Sequence, residues 1–269
     1  MSEVRIGRRT VSIEGVSSED VYYRSIQDGF EDDFDRFCRA HLKPDAIALD
    51  VGANIGVTST ILSQALPLGH VHAFEPAPKV FAKLKRNITF NGLENVSVHH
   101  LAIGREVGTV RLQDNSAWGH ITDDQSAPEV AVTTIDSLVD ELRLPTVDFI
   151  KIDTEGFERA ALDGGKGTLQ RFSPLIYMEF NSWCMATYNK VCPVTFFQQL
   201  AAEFAHVLLV EGGKLRGRLT HTDAIPFVYD NIGKHGCWQD LALTNNPRHL
   251  VHLSGEAVDG VLALSDVAG

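Results

Sequence analysis

The chain has 269 residues, of which 44% are hydrophobic, and this is enough apolar side chain for the core of one α/β domain. Its formal net charge of −11 disfavours nucleic acids and anionic membranes as partners, because both bind to basic surfaces. No apolar run approaches the length of a membrane span and the N-terminal residues are unlike a secretory signal, so we expect a cytoplasmic protein whose partner is uncharged or cationic.

The N-terminal residues predict a small extension of the main domain. Residues 1 to about 27 alternate apolar and polar side chains in short bursts, which is typical of a hairpin or of edge strands. From Asp28 to His41 apolar residues recur at helical spacing, and Pro44 ends this helix before the first buried strand. We assign residues 1–44 to the extension, 45–246 to the main domain and 247–269 to a C-terminal tail.

Strands and helices alternate through the main domain. The sequence predicts strands at 46–51, 70–74, 96–101, 147–153, 175–181 and 206–211, and helices at 55–65, 78–91, 136–142 and 193–204, with a further helix opening at 154–158. A hairpin is predicted at 107–113 and 129–134, and weaker extended segments at 226–229 and 241–244. Repeated strand–helix units with right-handed crossovers give an α/β fold with a doubly wound, mostly parallel, Rossmann-like sheet. Its ligands bind beyond the carboxyl ends of the strands.

A glycine-containing turn follows the first strand of this sheet. The strand ends around Asp50, and the run from Gly52 to Gly56 then turns into a helix. The two glycines permit close backbone approach, and Asn54 is one of the few other residues that tolerate a left-handed conformation. The next strand ends in Glu75, where a carboxylate is able to accept both hydroxyls of a ribose. The turn alone is also compatible with a plain structural role, but Glu75 in this position favours a nucleotide-type ligand.

Charge distinguishes between the possible ligands of this turn. A dinucleotide would place its pyrophosphate at the helix N-terminus, where Asp50 repels it, and the three-glycine fingerprint is missing. S-adenosylmethionine carries no phosphate, and its sulfonium and ammonium are cations that a carboxylate at the strand end attracts. The sequence therefore favours S-adenosylmethionine as the cofactor.

Four segments together resemble a known family. They are Asp50-Val51-Gly52-Ala53-Asn54-Ile55-Gly56, Phe74-Glu75-Pro76, Asn87 with Asn91, and Ile150-Lys151-Ile152-Asp153-Thr154-Glu155-Gly156-Phe157-Glu158. This set, which spans roughly residues 45–181, resembles the FkbM family of S-adenosylmethionine-dependent methyltransferases. The block around Asp153 is its most specific part, and outside the span the match is only in general layout.

The resemblance implies a class I methyltransferase fold and a role in natural-product or polysaccharide biosynthesis. The expected reaction is O-methylation of a sugar, a glycosylated molecule or a polyketide-type hydroxyl. The acceptor would be a small molecule or a glycan, and the resemblance does not identify it. By the same resemblance the cofactor residues are Asp50, Gly52, Asn54 and Gly56 at the methionine end, Glu75 with Pro76 at the ribose, and Ala102 with Ile103 at the adenine.

The acceptor side needs a base, because a sugar hydroxyl is a poor nucleophile at neutral pH and a positioned base is worth about 10²- to 10⁴-fold in rate. Asp153 is the first candidate, since its strand ends beside the cofactor strand; binding of the methionine ammonium and capping of the next helix are the alternatives. Glu155 is a second catalytic candidate, although the helix dipole alone favours a carboxylate there. His120, in the polar loop 114–120, is a third. Lys151 lies among apolar residues and needs a partner, for which Glu155, Glu179 and the acceptor are the candidates.

Oxygen-bearing side chains also follow one another at the ends of two predicted strands. Asp153, Glu179 and Asn181 are together a candidate site for Mg²⁺ or another divalent metal, which would acidify the acceptor hydroxyl, with Glu179 then catalytic. The alternative, which we prefer, is that Glu179 and Asn181 hydrogen-bond a sugar without metal. Trp118 and Trp183 are able to stack on a sugar ring, but could equally cover the core.

Two other functions use the same kind of sheet. An NAD-dependent oxidoreductase or epimerase needs a phosphate-compatible glycine loop and a Tyr-x-x-x-Lys-type pair, and neither is convincing in this sequence. A non-catalytic module that binds S-adenosylmethionine is the other alternative. The sequence does not indicate the oligomeric state.

Overall fold

The computed structural model describes residues 2–15, 21–113, 119–122 and 124–253. Its strands, in chain order, are β1 (Ser2–Ile6), β2 (Arg9–Ile13), β3 (Ile47–Val51), β4 (His70–Phe74), β5 (Val96–His99), β6 (Ala102–Ile103), β7 (Gly108–Gln113), β8 (His120–Ile121), β9 (Glu129–Thr133), β10 (Phe149–Ile152), β11 (Leu175–Asn181), β12 (His206–Glu211), β13 (Lys214–Leu219) and β14 (Trp238–Thr244). Its α-helices are α1 (Val21–Ser25), α2 (Asp32–His41), α3 (Val57–Ala65), α4 (Pro78–Phe90), α5 (Ile135–Glu141), α6 (Glu158–Asp163), α7 (Lys166–Phe172), α8 (Ser182–Tyr188), α9 (Pro193–Glu203) and α10 (Ala224–Lys234).

Within the described residues, eight strands form a central sheet in the order β13-β12-β14-β11-β10-β3-β4-β5. The strands from β11 to β5 pair in parallel. β14 runs antiparallel to both of its neighbours, β11 and β12, and β13 is antiparallel to β12. This arrangement confirms the predicted α/β class with a doubly wound, mostly parallel sheet.

Helices cover both faces of this sheet because its middle strands are apolar on both sides. All residues of β10 are buried, as expected for a parallel strand between two helical layers. On one face Phe34 of α2 contacts Tyr177 of β11, with ring centroids 4.9 Å apart. On the other face Phe227 of α10 contacts Phe180 of the same strand at 5.1 Å. The apolar residues that recur at helical spacing in α2 therefore pack in the core.

Residues 2–13 form the predicted hairpin, with β1 antiparallel to β2. The extended prediction is wrong for residues 21–25, which form the helix α1. The apolar side chains of the hairpin are buried and belong to the same core cluster as α2 and α3: Val4, Ile6, Val11 and Ile13. Gln64 of α3 also bonds the hairpin turn, accepting from the Arg8 N–H at 2.9 Å. The hairpin thus packs directly on the main domain, and the domain boundaries given above stay a prediction.

A smaller sheet lies beside the central one, in the order β6-β9-β7-β8. β7 and β9 pair antiparallel, which confirms the predicted hairpin. β6 pairs in parallel with β9 and so connects this sheet to the loop that follows β5. In the described ranges, no helix combines the length and the hydropathy that a membrane crossing requires.

The prediction of an extended segment at 226–229 is wrong, because these residues lie in α10. Thr220 and Asp223 cap the preceding turn reciprocally, and Pro226 falls in the first turn, where its missing N–H costs little. The buried side chains of α10 recur at the spacing of a helix packed on a core: Ala224, Phe227, Val228 and Asn231. A short apolar run fits a strand equally well, and tertiary packing decides between the two.

Candidate functional site

A cleft of about 720 Å³, measured with the part that opens to solvent, lies at the carboxyl ends of β3, β4 and β10. The loops that follow these strands meet here, because parallel strands carry their carboxyl ends at one edge of the sheet. The cleft lining includes the predicted residues Gly52, Asn54, Glu75, Pro76, Ala102, Ile103, Asp153 and Glu155. Segments far apart in the sequence are thus brought together, while the roles of the individual residues stay predictions.

The loop between β3 and α3 has a backbone that depends on glycine. Gly52 has φ +80°, and a Cβ atom there would lie 1.8 Å from the carbonyl oxygen of Asp153. Only glycine fits such an approach. Asn54 also has a positive φ of 50°. Gly56, with φ +96°, is outside the cleft lining, and a Cβ there would come within 2.8 Å of Leu84 in α4.

Glu75 connects this glycine loop with the loop after β4. Its Oε2 accepts a hydrogen bond from the Asn54 N–H at 3.0 Å, and its Oε1 accepts one from the Ala77 N–H at 2.8 Å. The residue is 7% exposed, so its carboxylate is held firmly in the wall of the cleft. Each carboxylate oxygen accepts more than one hydrogen bond, so the group is still able to receive hydroxyls of a ligand.

The rest of the lining is largely apolar. Ala102 and Ile103 of β6 are buried and contribute to it. The sequence analysis missed four further apolar residues of the lining: Ala77, Leu101, Val80 in α4 and Leu112 in β7. No local motif distinguishes these side chains from ordinary core residues, since only the fold brings their segments to the same edge of the sheet.

Asp50 lies beneath the cleft and is not part of its lining. It is fully buried, and its Oδ2 accepts hydrogen bonds from the hydroxyls of Thr58 at 2.9 Å and Ser59 at 2.6 Å. Its Oδ1 lies 3.8 Å from the amine of Lys151. Any attraction of Asp50 for a cationic ligand therefore acts through the floor of the cleft.

Lys151 is a buried amine between two strand ends. Its Nζ donates to the carbonyl oxygen of Gly52 at 3.0 Å and to Oδ2 of Asp153 at 3.2 Å. Burial by itself would lower the pKa of Lys151, but the carboxylates of Asp153 and Asp50 outweigh this effect and raise it. The lysine is therefore a cation, and in the described residues its ion pairs are with these two aspartates and not with the expected Glu155 or Glu179.

Three carboxyl groups form a row across the edge of the sheet. Ile152 of β10 pairs with Met178 of β11, and Asp153 and Glu179 are the residues that follow them. Glu179 in turn pairs with Asp240 of β14. Burial, and then the carboxylates of Asp153 and Glu155, raises the pKa of Glu179 well above its usual value. Burial also raises the pKa of Asp240 to about 6. The sequence analysis missed Asp240, because nothing local indicates the register of β14.

Glu155 lies in the turn after β10 and has a positive φ of 53°. The thiol of Cys184, in α8, donates a hydrogen bond to its Oε2 at 2.9 Å. Burial, and then the carboxylate of Asp153, raises the pKa of Glu155 to about 7. This side chain consequently exchanges a proton near neutral pH, as a general acid or base does. Cys184 is another residue of this region that the sequence analysis missed.

The raised pKa of Glu155 predicts a pH-dependent effect of Glu155→Gln on stability. The folded state binds the proton of Glu155 more tightly than the unfolded state, so the wild-type free energy of unfolding falls as pH rises from about 4.5 to 7. Glu155→Gln removes this loss. We therefore expect the free energy of unfolding of the variant, relative to that of wild type, to be higher at pH 8 than at pH 5 by roughly 1–2 kcal/mol. Urea unfolding at both pH values measures this gain. Glu106→Gln, on the exposed surface, is the control, and an equal difference at both pH values would contradict the prediction.

The predicted metal site does not fit the described side chains. The carboxamide oxygen of Asn181 accepts the Cys184 N–H at 3.1 Å and so caps α8, while its nitrogen donates to Glu179 at 3.3 Å. Among residues 2–15, 21–113, 119–122 and 124–253, no three His, Cys, Asp or Glu side chains are arranged to hold a metal ion. The amide of Asn181 therefore presents its N–H donors to the carboxylate of Glu179. A cation shared by these two residues would instead need an oxygen from each of them.

The remaining predicted acceptor residues lie at the margin of the cleft or outside the description. Trp118, with the rest of 114–118, is outside the described residues. The backbone of His120 belongs to β8, which pairs with β7 next to the cleft-lining Gly119. Trp183 lies in α8, is 52% exposed and contacts Tyr188 edge-on at 5.2 Å, but is not in the lining. Their roles stay predictions.

The chain is similar in sequence to known methyltransferases. It is 26% identical over 160 residues to the 2-O-methyltransferase NoeI of Sinorhizobium fredii, and the aligned region covers 52% of this chain and 65% of that protein. It is 27% identical over 143 residues to the hexuronic acid methyltransferase AglP of Haloferax volcanii, covering 52% and 58%. The chain thus spans about three fifths of these relatives' lengths. The crystal structure of the methyltransferase FkbM from Methylobacillus flagellatus gives a TM-score of 0.46 at 17% identity and covers 74% of this chain and 44% of that one.

A family model also matches the sequence directly. The Methyltransferase FkbM domain matches residues 50–208, which is more than half of the chain. The match includes the glycine loop, Glu75 and the block around Asp153, which all line the cleft. The resemblance inferred from the sequence motifs is confirmed, and the chain belongs to the FkbM methyltransferase domain family.

Proposed function

We propose that the protein transfers a methyl group from S-adenosylmethionine to a hydroxyl of a sugar-type or polyketide-type acceptor. One observation carries the proposal: the carboxylates of Glu75 and Asp153 line the same cleft, beside a glycine loop and an apolar wall. Glu75 suits a ribose, and Asp153 suits the acceptor. Membership of the FkbM family supports this assignment.

The lining fits an adenosyl ligand in three parts. Ala102 and Ile103 offer an apolar surface and a backbone N–H to a purine. Glu75, anchored by two backbone amides, offers its carboxylate to the ribose hydroxyls. The glycine loop at Gly52 and Asn54 leaves room for the methionine end, above the buried carboxylate of Asp50. When bound, S-adenosylmethionine supplies an electrophilic methyl group.

Asp153 is the proposed general base. Its side chain lines the cleft, is about a third exposed, and has one oxygen 3.2 Å from the Lys151 amine. Asp153 takes the proton of the acceptor hydroxyl while the new oxygen–carbon bond forms. Its neighbour Glu155, which also lines the cleft, has a pKa raised to about 7, so in its neutral form it is able to donate a hydrogen bond to another oxygen of the acceptor. We derive no step through a metal ion, because the donor set at Asn181 does not fit one.

The acceptor is proposed to be a hydroxylated molecule of the sugar or polyketide type. The names of two relatives, a 2-O-methyltransferase and a hexuronic acid methyltransferase, support oxygen as the methylated atom and a sugar-type acceptor. A panel of glycosides and macrolide-like alcohols, assayed for release of S-adenosylhomocysteine, tests this choice. Methylation of amines with all alcohols ignored would refute O-methylation.

The proposed ribose contact predicts the effect of Glu75→Ala on cofactor binding. The variant loses a charge-assisted hydrogen bond worth about 1.5–3 kcal/mol, so we expect the affinity for S-adenosylhomocysteine to fall roughly 10- to 100-fold. Titration calorimetry measures the dissociation constant. Glu94→Ala removes an exposed carboxylate near β5 and is expected to bind like wild type.

Three results of these titrations and of the acceptor panel would count against parts of the proposal. Unchanged affinity in Glu75→Ala removes Glu75 from the ribose. Preferential binding of NAD by wild type would favour an oxidoreductase on the same sheet. Binding of S-adenosylhomocysteine by a protein that methylates no member of the panel would favour a non-catalytic module.

A further inference from the structure

Asn87 of α4 bridges two segments that are distant in sequence. It is 1% exposed, and its Oδ1 accepts a hydrogen bond from the Glu14 N–H at 2.9 Å. Its Nδ2 donates to the Glu14 carbonyl at 3.1 Å and to the Ile55 carbonyl at 2.9 Å. Glu14 directly follows β2 of the N-terminal hairpin, and Ile55 belongs to the glycine loop of the cleft. One amide group therefore connects the hairpin to the loop.

The bond to Ile55 matters because of where that carbonyl lies. Ile55 is buried, so its carbonyl oxygen needs a protein donor in place of water. The residue before it, Asn54, has a left-handed backbone and donates its N–H to Glu75. Gly52, Asn54 and Gly56 of this loop all have positive φ. Such a backbone persists only while the surrounding contacts hold it, so the loop is able to adopt other conformations when a hydrogen bond is lost. Holding Ile55 in place thus fixes the position of the Asn54 N–H and, through it, the Glu75 carboxylate.

The hairpin in turn holds the side chain of Asn87. The Glu14 N–H and carbonyl both bond its amide, which fixes the orientation of that group. Glu14 is itself attached to α4, because its carboxylate pairs with Lys83 at 2.6 Å and with Arg86 at 3.2 Å. The backbone of Ser12 and Glu14 at the outer edge of β2 is thereby bonded by side chains at the end of α4.

Asn91, one helical turn further along, makes the same kind of contact without reaching the loop. Its Oδ1 accepts the Ser12 N–H at 2.9 Å, and its Nδ2 donates to the Ser12 carbonyl at 2.8 Å. Its third bond is to the Asn87 carbonyl within α4. The two asparagines therefore dock the hairpin equally, and only Asn87 extends the connection to Ile55.

We infer that Asn87 is a positioning residue for the cofactor: held by the N-terminal hairpin, it fixes the glycine loop in the conformation that binds the adenosyl ligand. The hairpin is then part of the cofactor site, although none of its residues lines the cleft. The inference rests on the proposed function, because it presumes that the cleft binds S-adenosylmethionine.

The test compares matched substitutions at the two asparagines in the full chain. Asn87→Ala and Asn91→Ala each remove two bonds to the hairpin, and only the first removes the bond to Ile55. Titration calorimetry with S-adenosylhomocysteine, well below the melting temperature of each variant, is expected to show a roughly 5- to 20-fold loss of affinity in Asn87→Ala and less than about a twofold loss in Asn91→Ala. Asn87→Asp and Asn91→Asp, which keep the side-chain shape, give a second matched pair and should show the same contrast if an alanine variant does not fold.

A double-mutant cycle supplies a readout that general destabilisation does not change. Because Asn87 acts on the ligand through Asn54 and Glu75, the losses in Asn87→Ala and Glu75→Ala should be clearly less than additive, whereas those in Asn91→Ala and Glu75→Ala should add. Equal affinity in the Asn87 variants and wild type, or equal losses at Asn87 and Asn91, would overturn the inference. Failure of wild type itself to bind S-adenosylhomocysteine would instead overturn the proposed function.

Discussion

Asp153→Asn is expected to lower turnover by at least about 10²-fold while leaving the affinity for S-adenosylhomocysteine within about threefold of wild type. Its side chain lines the cleft and is paired with Lys151, so it is the carboxylate best placed to take a proton from the acceptor. An asparagine keeps the size of the side chain but accepts no proton. Initial rates with a responsive acceptor, and calorimetry with the demethylated product, separate the two effects.

Glu179→Gln is the matched control for this variant. Glu179 lies in the same row, but burial and its acidic neighbours raise its pKa, so a neutral amide resembles its neutral carboxyl form. We expect its turnover to fall less than about tenfold. Full activity in Asp153→Asn would remove Asp153 as the base. Loss of wild-type activity with a chelator, restored by Mg²⁺, would show that metal chemistry is involved and would contradict the proposed mechanism.

Lys151→Met is expected to lower the free energy of unfolding by about 3–5 kcal/mol. The variant leaves the fully buried carboxylate of Asp50 with hydroxyl partners but without its cation. It also removes the bond from Nζ to the Gly52 carbonyl, which helps to fix the cleft floor. The melting temperature should fall by roughly 10 °C, as measured by calorimetry at pH 7.5.

Two further variants test the reason for this loss. Lys234→Met breaks an exposed pair with Asp230 in α10 and should cost less than about 0.5 kcal/mol. Combining Lys151→Met with Asp50→Asn should recover much of the loss, because the buried charge is then absent. If Lys151→Met were as stable as wild type, the amine would not be the charge partner of Asp50.

The sequence carried most of the information about the cofactor half of the fold. The strands that became β3, β4, β10 and β11 are buried on both sides, and such strands appear as continuous apolar runs. The glycine loop is recognisable in the sequence because no residue other than glycine fits at position 52, where the backbone approaches the Asp153 carbonyl. By contrast, 226–229 was assigned to the wrong kind of element, since a short apolar run fits a strand as well as α10 until its neighbours are known.

The acceptor half depends on contacts that a single sequence does not show. Asp240 joins Glu179 only because β14 enters the sheet antiparallel in one particular register. The partners of Lys151, Asp50 and Asp153, lie on two strands whose pairing has to be known first. The direction of Asp50, towards α3 and away from the cleft, follows from the hydroxyls of Thr58 and Ser59, which are unremarkable in the sequence.

The position of β14 has a consequence for how the chain folds. This strand lies between β11 and β12, yet among the described residues it is the last strand of the sheet in chain order and so emerges after its neighbours during synthesis. Until it is made, β11 and β12 each have an open edge with unpaired backbone groups, and such edges promote association between chains. A chain cut before Trp238 should therefore aggregate although it retains every residue of the cleft lining. The central sheet is thus completed only when β14, far along the chain from β11, has been made.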